Sequence, residues 1–237
     1  GCGMNHLAKE MPGRFFDVGI EEEHAVTFSA GLAAGGLKPF CNIYSSFSQR
    51  AYDQIIHDVA LQGLPVVICL DRGGLVGEDG ATHHGCYDMA VYRTVPGAVV
   101  AAPANETELR NMMYTAFLAK SGPFIIRYPR GYGEGTAWQD SPFEVLEPGK
   151  AELLLEGTDV AVVAAGPVAN RAVEAALELK KNEGWNPSIY NIRYIKPVDT
   201  DILDHIARNY GTVVTVEDGT VVGGLQGVVA EHMSAMT

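Results

Sequence analysis

Between Asp71 and Asp88 the chain reads DRGGLVGEDGATHHGCYD: five glycines, four acids, one arginine and two adjacent histidines in eighteen residues. This run follows the apolar stretch Pro65–Leu70 directly. It would make a poor core, but a glycine-rich loop at the carboxyl end of a parallel strand is where open α/β folds bind ligands. Arg72 leaves the strand first, and Asp79, His83 and His84 follow Gly77 and Gly80. Adjacent histidines in an extended loop point in different directions, so one at most faces a given ligand. His-His-Gly-Cys matches no zinc spacing, and no metal ligands are assigned. Arg130, in RYPRG after a second apolar stretch, emerges on the same sheet edge as Arg72 if both strands are parallel. Two arginines converging there would clamp an anion such as a phosphate. Arg127, three residues earlier on an extended strand, is expected to face the other side.

Three further acids, Glu21, Glu22 and Glu23, stand where a helix should begin. A carboxylate in a first turn gains a few tenths to about 1 kcal/mol from the helix dipole. Three in a row exceed what capping needs, which leaves one able to hydrogen-bond a ligand nitrogen. Tyr44, Phe47 and Arg50, at i, i+3 and i+6, can share one wall of a helix. Aromatic residues at that spacing are usually core, but an arginine on the same stripe requires a partner.

The elements that position these groups are strands over Phe15–Val18, Pro39–Ile43, Pro65–Leu70, Ala98–Ala101 and Pro123–Tyr128. Helices His24–Gly35, Ser45–Gln62 and Glu106–Ala119 lie between them, the last opened by Asn105 and Glu108 in capping-box spacing. The alternation describes an α/β fold with a parallel sheet covered by helices. From Gly131 to Gly149 the pattern stops in a Gly-, Pro- and acid-rich stretch that reads as a linker. A second series follows: strand Asp159–Ala164, helix Ala169–Lys181, strand Ser188–Ile192, helix Thr200–Asn209, strand Thr212–Val216 and a helix over Leu225–Met233. Two parallel-sheet domains are therefore expected, over 1–130 and 150–237, the second incomplete.

Composition narrows the function. Hydrophobic residues make up 47% and charged residues 19% of 237 residues, which excludes extensive disorder. A formal net charge of −12 argues against nucleic-acid binding, and there is no run of eighteen apolar residues to span a membrane. Cys2, Cys41, Cys69 and Cys86 are scattered without a CxxC pair, as in a reducing compartment without disulfides or zinc. Neither a GxGxxG after a strand, nor a P-loop, nor a GxSxG elbow is present; Gly219–Gly224 (GTVVGG) has the wrong spacing for a dinucleotide.

Four segments, DVGIEEEHAV, YSSFSQRAYDQ, DRGGLVGEDGATHHGCYD and RYPRG, resemble in this order the pyrimidine-binding domain of the 1-deoxy-D-xylulose-5-phosphate synthases. These are thiamine-diphosphate-dependent members of the transketolase group. NIRYIKPVD and TVEDGTVVGG resemble the transketolase C-terminal domain, so the likeness covers nearly the whole chain. It implies a transferase that condenses pyruvate with glyceraldehyde 3-phosphate, with loss of carbon dioxide, for isoprenoid and thiamine biosynthesis. It further implies that Glu22 hydrogen-bonds the cofactor's pyrimidine ring, that Phe47 stacks on that ring, and that Tyr44 and Arg50 complete the pocket. Arg72 and Arg130 would hold the substrate phosphate, Asp79 and His83 would stand beside the reacting carbons, and His84 would be a bystander. A cytoplasmic (or plastid) homodimer is implied as well. The alternatives left open are transketolase proper, an E1β-like subunit, and a non-catalytic dimerisation module. The family's GDG motif, which holds the diphosphate through magnesium, does not occur, and GGLQGVV replaces its usual GGxGSxV. The expectation is a fragment, inactive alone.

Overall fold

A computed structural model describes residues 2–236. Helix α1 (Asn5–Glu10) and a 3-10 turn (Pro12–Arg14) precede α2 (Glu22–Ala34) and strand β1 (Phe40–Tyr44). The segment after β1 is helical but irregular: a 3-10 stretch over Phe47–Ala51, the α-helical turn α3 (Tyr52–Gln54) and a π-helical stretch over Ile55–Ala60. Strand β2 (Val67–Asp71), helix α4 (Asp88–Tyr92), strand β3 (Val99–Ala101), helix α5 (Glu106–Leu118) and strand β4 (Phe124–Tyr128) complete this half. No helix or strand occupies 129–151. The second half runs β5 (Glu152–Leu155), β6 (Ala161–Ala164), α6 (Val168–Glu183), β7 (Ser188–Asn191), β8 (Tyr194–Lys196), α7 (Thr200–Asn209), β9 (Val213–Val216) and α8 (Leu225–Ser234). No helix among the described residues is long and apolar enough to cross a membrane.

The first sheet has the order β1-β2-β4-β3-β8, and the second β5-β7-β6-β9. Within the first, β1, β2, β4 and β3 are parallel, so the carboxyl ends of β2 and β4 share one edge. The register is tight: Asp71 lies opposite both Tyr44 and Tyr128. Every residue of β2 is buried, as expected of a strand covered on both faces. Helix α5 begins where its capping signal says, with the Asn105 side chain accepting from the Glu108 N–H at 2.9 Å.

Three expectations require correction. Phe15–Val18 forms no strand: Phe15 is extended (φ −116°, ψ 126°) but no other strand pairs with the segment, and Phe16 packs edge-on against Phe28 instead. Ser45–Gln62 is not one regular helix. The sheets are not purely parallel either, because β5 and β8 each pair antiparallel. Strand β8 belongs by sequence to the second half yet pairs with β3 of the first sheet, and the Ala102 N–H donates to the Arg193 carbonyl at 2.8 Å beside it. One buried apolar cluster accordingly runs through residues of both halves, from Val26 and Ile68 to Ile192 and Leu225.

Candidate active site at the carboxyl edge of the first sheet

Glu22 is the first residue of α2 and is nearly buried. Its Oε2 accepts a charged hydrogen bond from Arg50 Nη1 at 3.1 Å. The 3-10 winding explains why Arg50 also reaches Phe47: three residues per turn place i and i+3 one above the other. The Arg50 guanidinium accordingly lies over the Phe47 ring, 4.8 Å from its centroid. Tyr44, at the end of β1, stacks on Phe47 with centroids 5.7 Å apart and an interplanar angle of 21°. The three residues do share one wall, though through a strand end and a 3-10 turn rather than one helix face.

The glycine-rich loop closes over that wall. Gly74 and Gly85 exchange hydrogen bonds across its neck, N–H to O at 3.0 and 2.8 Å. The Gly73 N–H donates to the Tyr128 carbonyl at 2.9 Å and so extends the β4 ladder. Gly85 is required by contact: a Cβ there would overlap the Arg72 carbonyl and the Ser45 side chain. At the mouth of the loop Arg72 adopts a left-handed backbone (φ 65°), which costs a non-glycine residue about 1–2 kcal/mol. This conformation lays its guanidinium over the Tyr44 ring at 3.9 Å while Nη1 and Nε bond Asp71 (2.8 Å) and Asp79 (3.1 Å). His83 meets the Phe47 ring edge-on at 5.0 Å, with its Nδ1 2.9 Å from the Thr82 hydroxyl. His84 instead accepts the Val76 N–H at its Nδ1 (3.1 Å), which ties it to the loop's own backbone.

Arg130 and Arg72 do converge. Each places its Nε 3.1 Å from the same Asp79 Oδ2, and Arg130 adds a bond to Glu78 at 2.6 Å. Burial pushes the Asp71 carboxyl above its usual range, against the pull of Arg72. The hydrogen bond to Glu78, with Asp79 nearby, holds Arg130 more firmly protonated than usual. Tyr44 is likewise pushed up by burial, with Arg72 opposing. The site thus has two connected parts. One is an acid beside an aromatic wall (Glu22, Arg50, Phe47, Tyr44, His83); the other is a two-arginine cluster (Arg72, Arg130, Asp79). The Tyr44 ring joins them.

Arg127, expected on the side away from Arg130, shares no partner with the arginine pair. Its side chain is almost completely buried beneath the loop, with Nε 2.9 Å from Asp88 Oδ2 and Nη1 2.8 Å from Asp218 Oδ1. Burial works against its charge, but the two carboxylates more than offset that and raise its pKa. The signal was present: an arginine inside the apolar run Phe124–Tyr128 has to find an acid. What the sequence hides is that one of its two acids comes from the second half.

A flat amino-heterocycle suits the first part, because a nearly buried carboxylate can accept from a ring N–H while an aromatic wall takes a ring face. A metal-bridged diphosphate does not fit these residues. Among the described residues no group of three or more His, Cys, Asp or Glu side chains could hold a metal ion.

Comparison with known proteins agrees with these features. Residues 3–134 match the family described as transketolase, pyrimidine binding domain, and residues 149–237 match transketolase, C-terminal domain. The chain is 53% identical over 234 residues to a 1-deoxy-D-xylulose-5-phosphate synthase of Bacteroides thetaiotaomicron, covering 99% of this chain and 36% of that protein. It is 48% identical to a synthase of the same name from Dictyoglomus turgidum, covering 100% of this chain and 38% of that one. The chain therefore spans little more than a third of the length of these curated relatives. Among solved structures, a split gene transketolase, an inactive beta4 tetramer, superposes with a TM-score of 0.86 at 34% identity, covering 97% of this chain and 73% of that one.

Proposed function

Because the chain belongs to the transketolase family, by its pyrimidine-binding and C-terminal domains alike, we propose that it supplies those two domains of a 1-deoxy-D-xylulose-5-phosphate synthase. The reaction condenses pyruvate with glyceraldehyde 3-phosphate and releases carbon dioxide. The observation that carries this reading is the joining, through one Tyr44 ring, of the Glu22 aromatic corner to the Arg72–Arg130 pair. An acid-and-aromatic pocket suits the aminopyrimidine of thiamine diphosphate, and two arginines beside it suit a substrate that ends in a phosphate. The synthase is preferred to transketolase proper because relatives bearing the synthase name reach 53% identity, against 34% for the split transketolase.

When bound, thiamine diphosphate supplies the electron sink for decarboxylation and carbon–carbon bond formation. In this chain, Glu22 holds a proton at the pyrimidine ring nitrogen, and Arg50 fixes the carboxylate that does so. Phe47 and Tyr44, stacked on each other, form the aromatic wall beside it. Arg72 and Arg130 take the phosphate of glyceraldehyde 3-phosphate in exchange for part of their present contact with Asp79. Asp79 and His83 then face the substrate hydroxyls and move the proton that bond formation requires. Residues 1–130 carry this site, 131–149 form the linker, and 150–237 form the C-terminal domain. Magnesium and the diphosphate are assigned to the part of the relatives that this chain does not match. The two domains alone are then inactive, in keeping with the inactive split-gene chain they resemble. The working state is a cytoplasmic homodimer.

The test is release of carbon dioxide from pyruvate, dependent on glyceraldehyde 3-phosphate, by the polypeptide that carries this chain. Ketose-phosphate exchange without carbon dioxide release would replace the reading with transketolase activity.

A further inference from the structure

The structure assigns a positioning role to Asp218, a residue of the second half: through Arg127 it fixes the glycine-rich loop in the shape that recognises substrate. The inference rests on the proposed function for what the loop binds, and on geometry for the coupling itself.

Arg127 sits near the end of β4 with its guanidinium against Gly73, the loop's first glycine; a Cβ on Gly73 would stand only 3.0 Å from Nε and Nη2. On one side Nε holds Asp88, the loop's last residue. Asp88 Oδ2 also accepts the Ser45 hydroxyl at 2.9 Å, and the Ser45 N–H donates to the Asp71 carbonyl at 2.6 Å. Both ends of the loop and the residue following Tyr44 are therefore tied to one carboxylate. On the other side Nη1 meets Asp218. That carboxylate presses on Gly74 so closely that a Cβ there would overlap it. The neighbouring backbone joins as well, with the Thr220 N–H donating to the Cys86 carbonyl at 2.9 Å. The contact thus touches the loop at Gly73, Gly74, Cys86 and Asp88.

The clamp is an ion pair: Arg127 Nη1 lies 2.8 Å from Asp218 Oδ1, and the neighbouring Arg127 Nη2 has no hydrogen-bond partner of its own. In so buried a setting, loss of one carboxylate leaves the arginine's charge undercompensated, and the arginine must move. The neighbouring Glu217 acts elsewhere. Its two oxygens each accept an N–H, from Leu225 and Gln226 at 3.0 Å, and so cap α8. Asp218 makes no such helix contact, so its charge is directed at the loop.

Asp218→Asn keeps the shape and removes the charge, in the polypeptide that carries this chain. Hydrogen exchange at the Gly73, Gly74 and Gly85 amides is expected to speed up about tenfold, with the amides of β7 unchanged. Asp204→Asn, in the same half but away from the loop, is expected to leave that exchange untouched. In turnover, KM for glyceraldehyde 3-phosphate is expected to rise about tenfold, with KM for pyruvate and kcat within about threefold. Unchanged loop exchange in Asp218→Asn overturns the assignment, as does acceleration spread evenly through both halves. If exchange quickens locally while both KM values stay put, the coupling stands and the proposed substrate of the loop is what fails.

Discussion

Glu22→Gln separates chemistry from architecture at the aromatic corner. The substitution keeps the shape of the side chain and one acceptor oxygen but loses the charge. A structural carboxylate here has two sources of stability. Its pairing with Arg50, whose side chain is 51% exposed, is a screened ion pair worth about 0.2–1 kcal/mol. Its place in the first turn of α2 adds about 0.3–1 kcal/mol from the helix dipole. Together they are at most about 2 kcal/mol, or roughly 4–8 °C in Tm for a chain of this size. A carboxylate that holds a proton at a reacting ring is worth far more, about 10²–10⁴-fold in rate. The assay pairs thermal unfolding with kcat/KM for carbon dioxide release at saturating thiamine diphosphate. The expected result is a Tm within several degrees of the parent and a kcat/KM at least about a hundredfold lower. A variant that loses its Tm as stated but retains kcat/KM within about tenfold would refute the reasoning, leaving Glu22 a helix cap.

Two further outcomes concern the loop neck and the buried thiols. Gly85→Ala forces a Cβ against the Arg72 carbonyl and Ser45, and overpacking of this kind costs about 1–3 kcal/mol; a Tm drop of several degrees is expected in thermal unfolding, and an unchanged Tm would mean that the neck of the loop is looser than described. Burial pushes the Cys41 and Cys69 thiols up to about 11 and about 12 from an ordinary value of 9.0. Because the folded pKa values are raised, their contribution is complete below about pH 9 and is lost as pH rises through 11 and 12, roughly 2–3 kcal/mol for each thiol by pH 11. Denaturant titrations from pH 8 to 11 should show this decline, and at pH 8 an alkylating reagent should leave both thiols unmodified in the folded chain.

How much of this was legible in the sequence depended on how local the cause was. Helix α7 spans the expected Thr200–Asn209 because Asp199 caps it from next door, accepting the Ile202 N–H at 3.2 Å. The loop announced itself because its glycines, acids and histidines are contiguous. The wall of Tyr44, Phe47 and Arg50 was found by spacing, but its winding was not, since the choice among 3-10, α and π depends on what packs against the segment. Strand β8 was missed for a similar reason: three residues that add to another domain's sheet leave no period of their own. Asp218 was invisible as a partner for Arg127, because nothing local couples VEDG to RYPRG.

The arginine pair joins these scales. Arg72 and Arg130 are both engaged by carboxylates, Arg72 by Asp71 and Asp79 and Arg130 by Glu78 and Asp79. Under the proposed function, a phosphate that binds both arginines takes over contacts that Asp79 now holds with each. The gain is specificity: an anion that binds one arginine weakly cannot displace a carboxylate already shared by two, whereas a phosphate can meet both forks at once. Under the proposed function, such a displacement would release the Asp79 carboxylate from both arginines as the phosphate enters. The left-handed Arg72, the Gly74–Gly85 neck and the buried Arg127 pairs all hold the backbone on which these side chains sit.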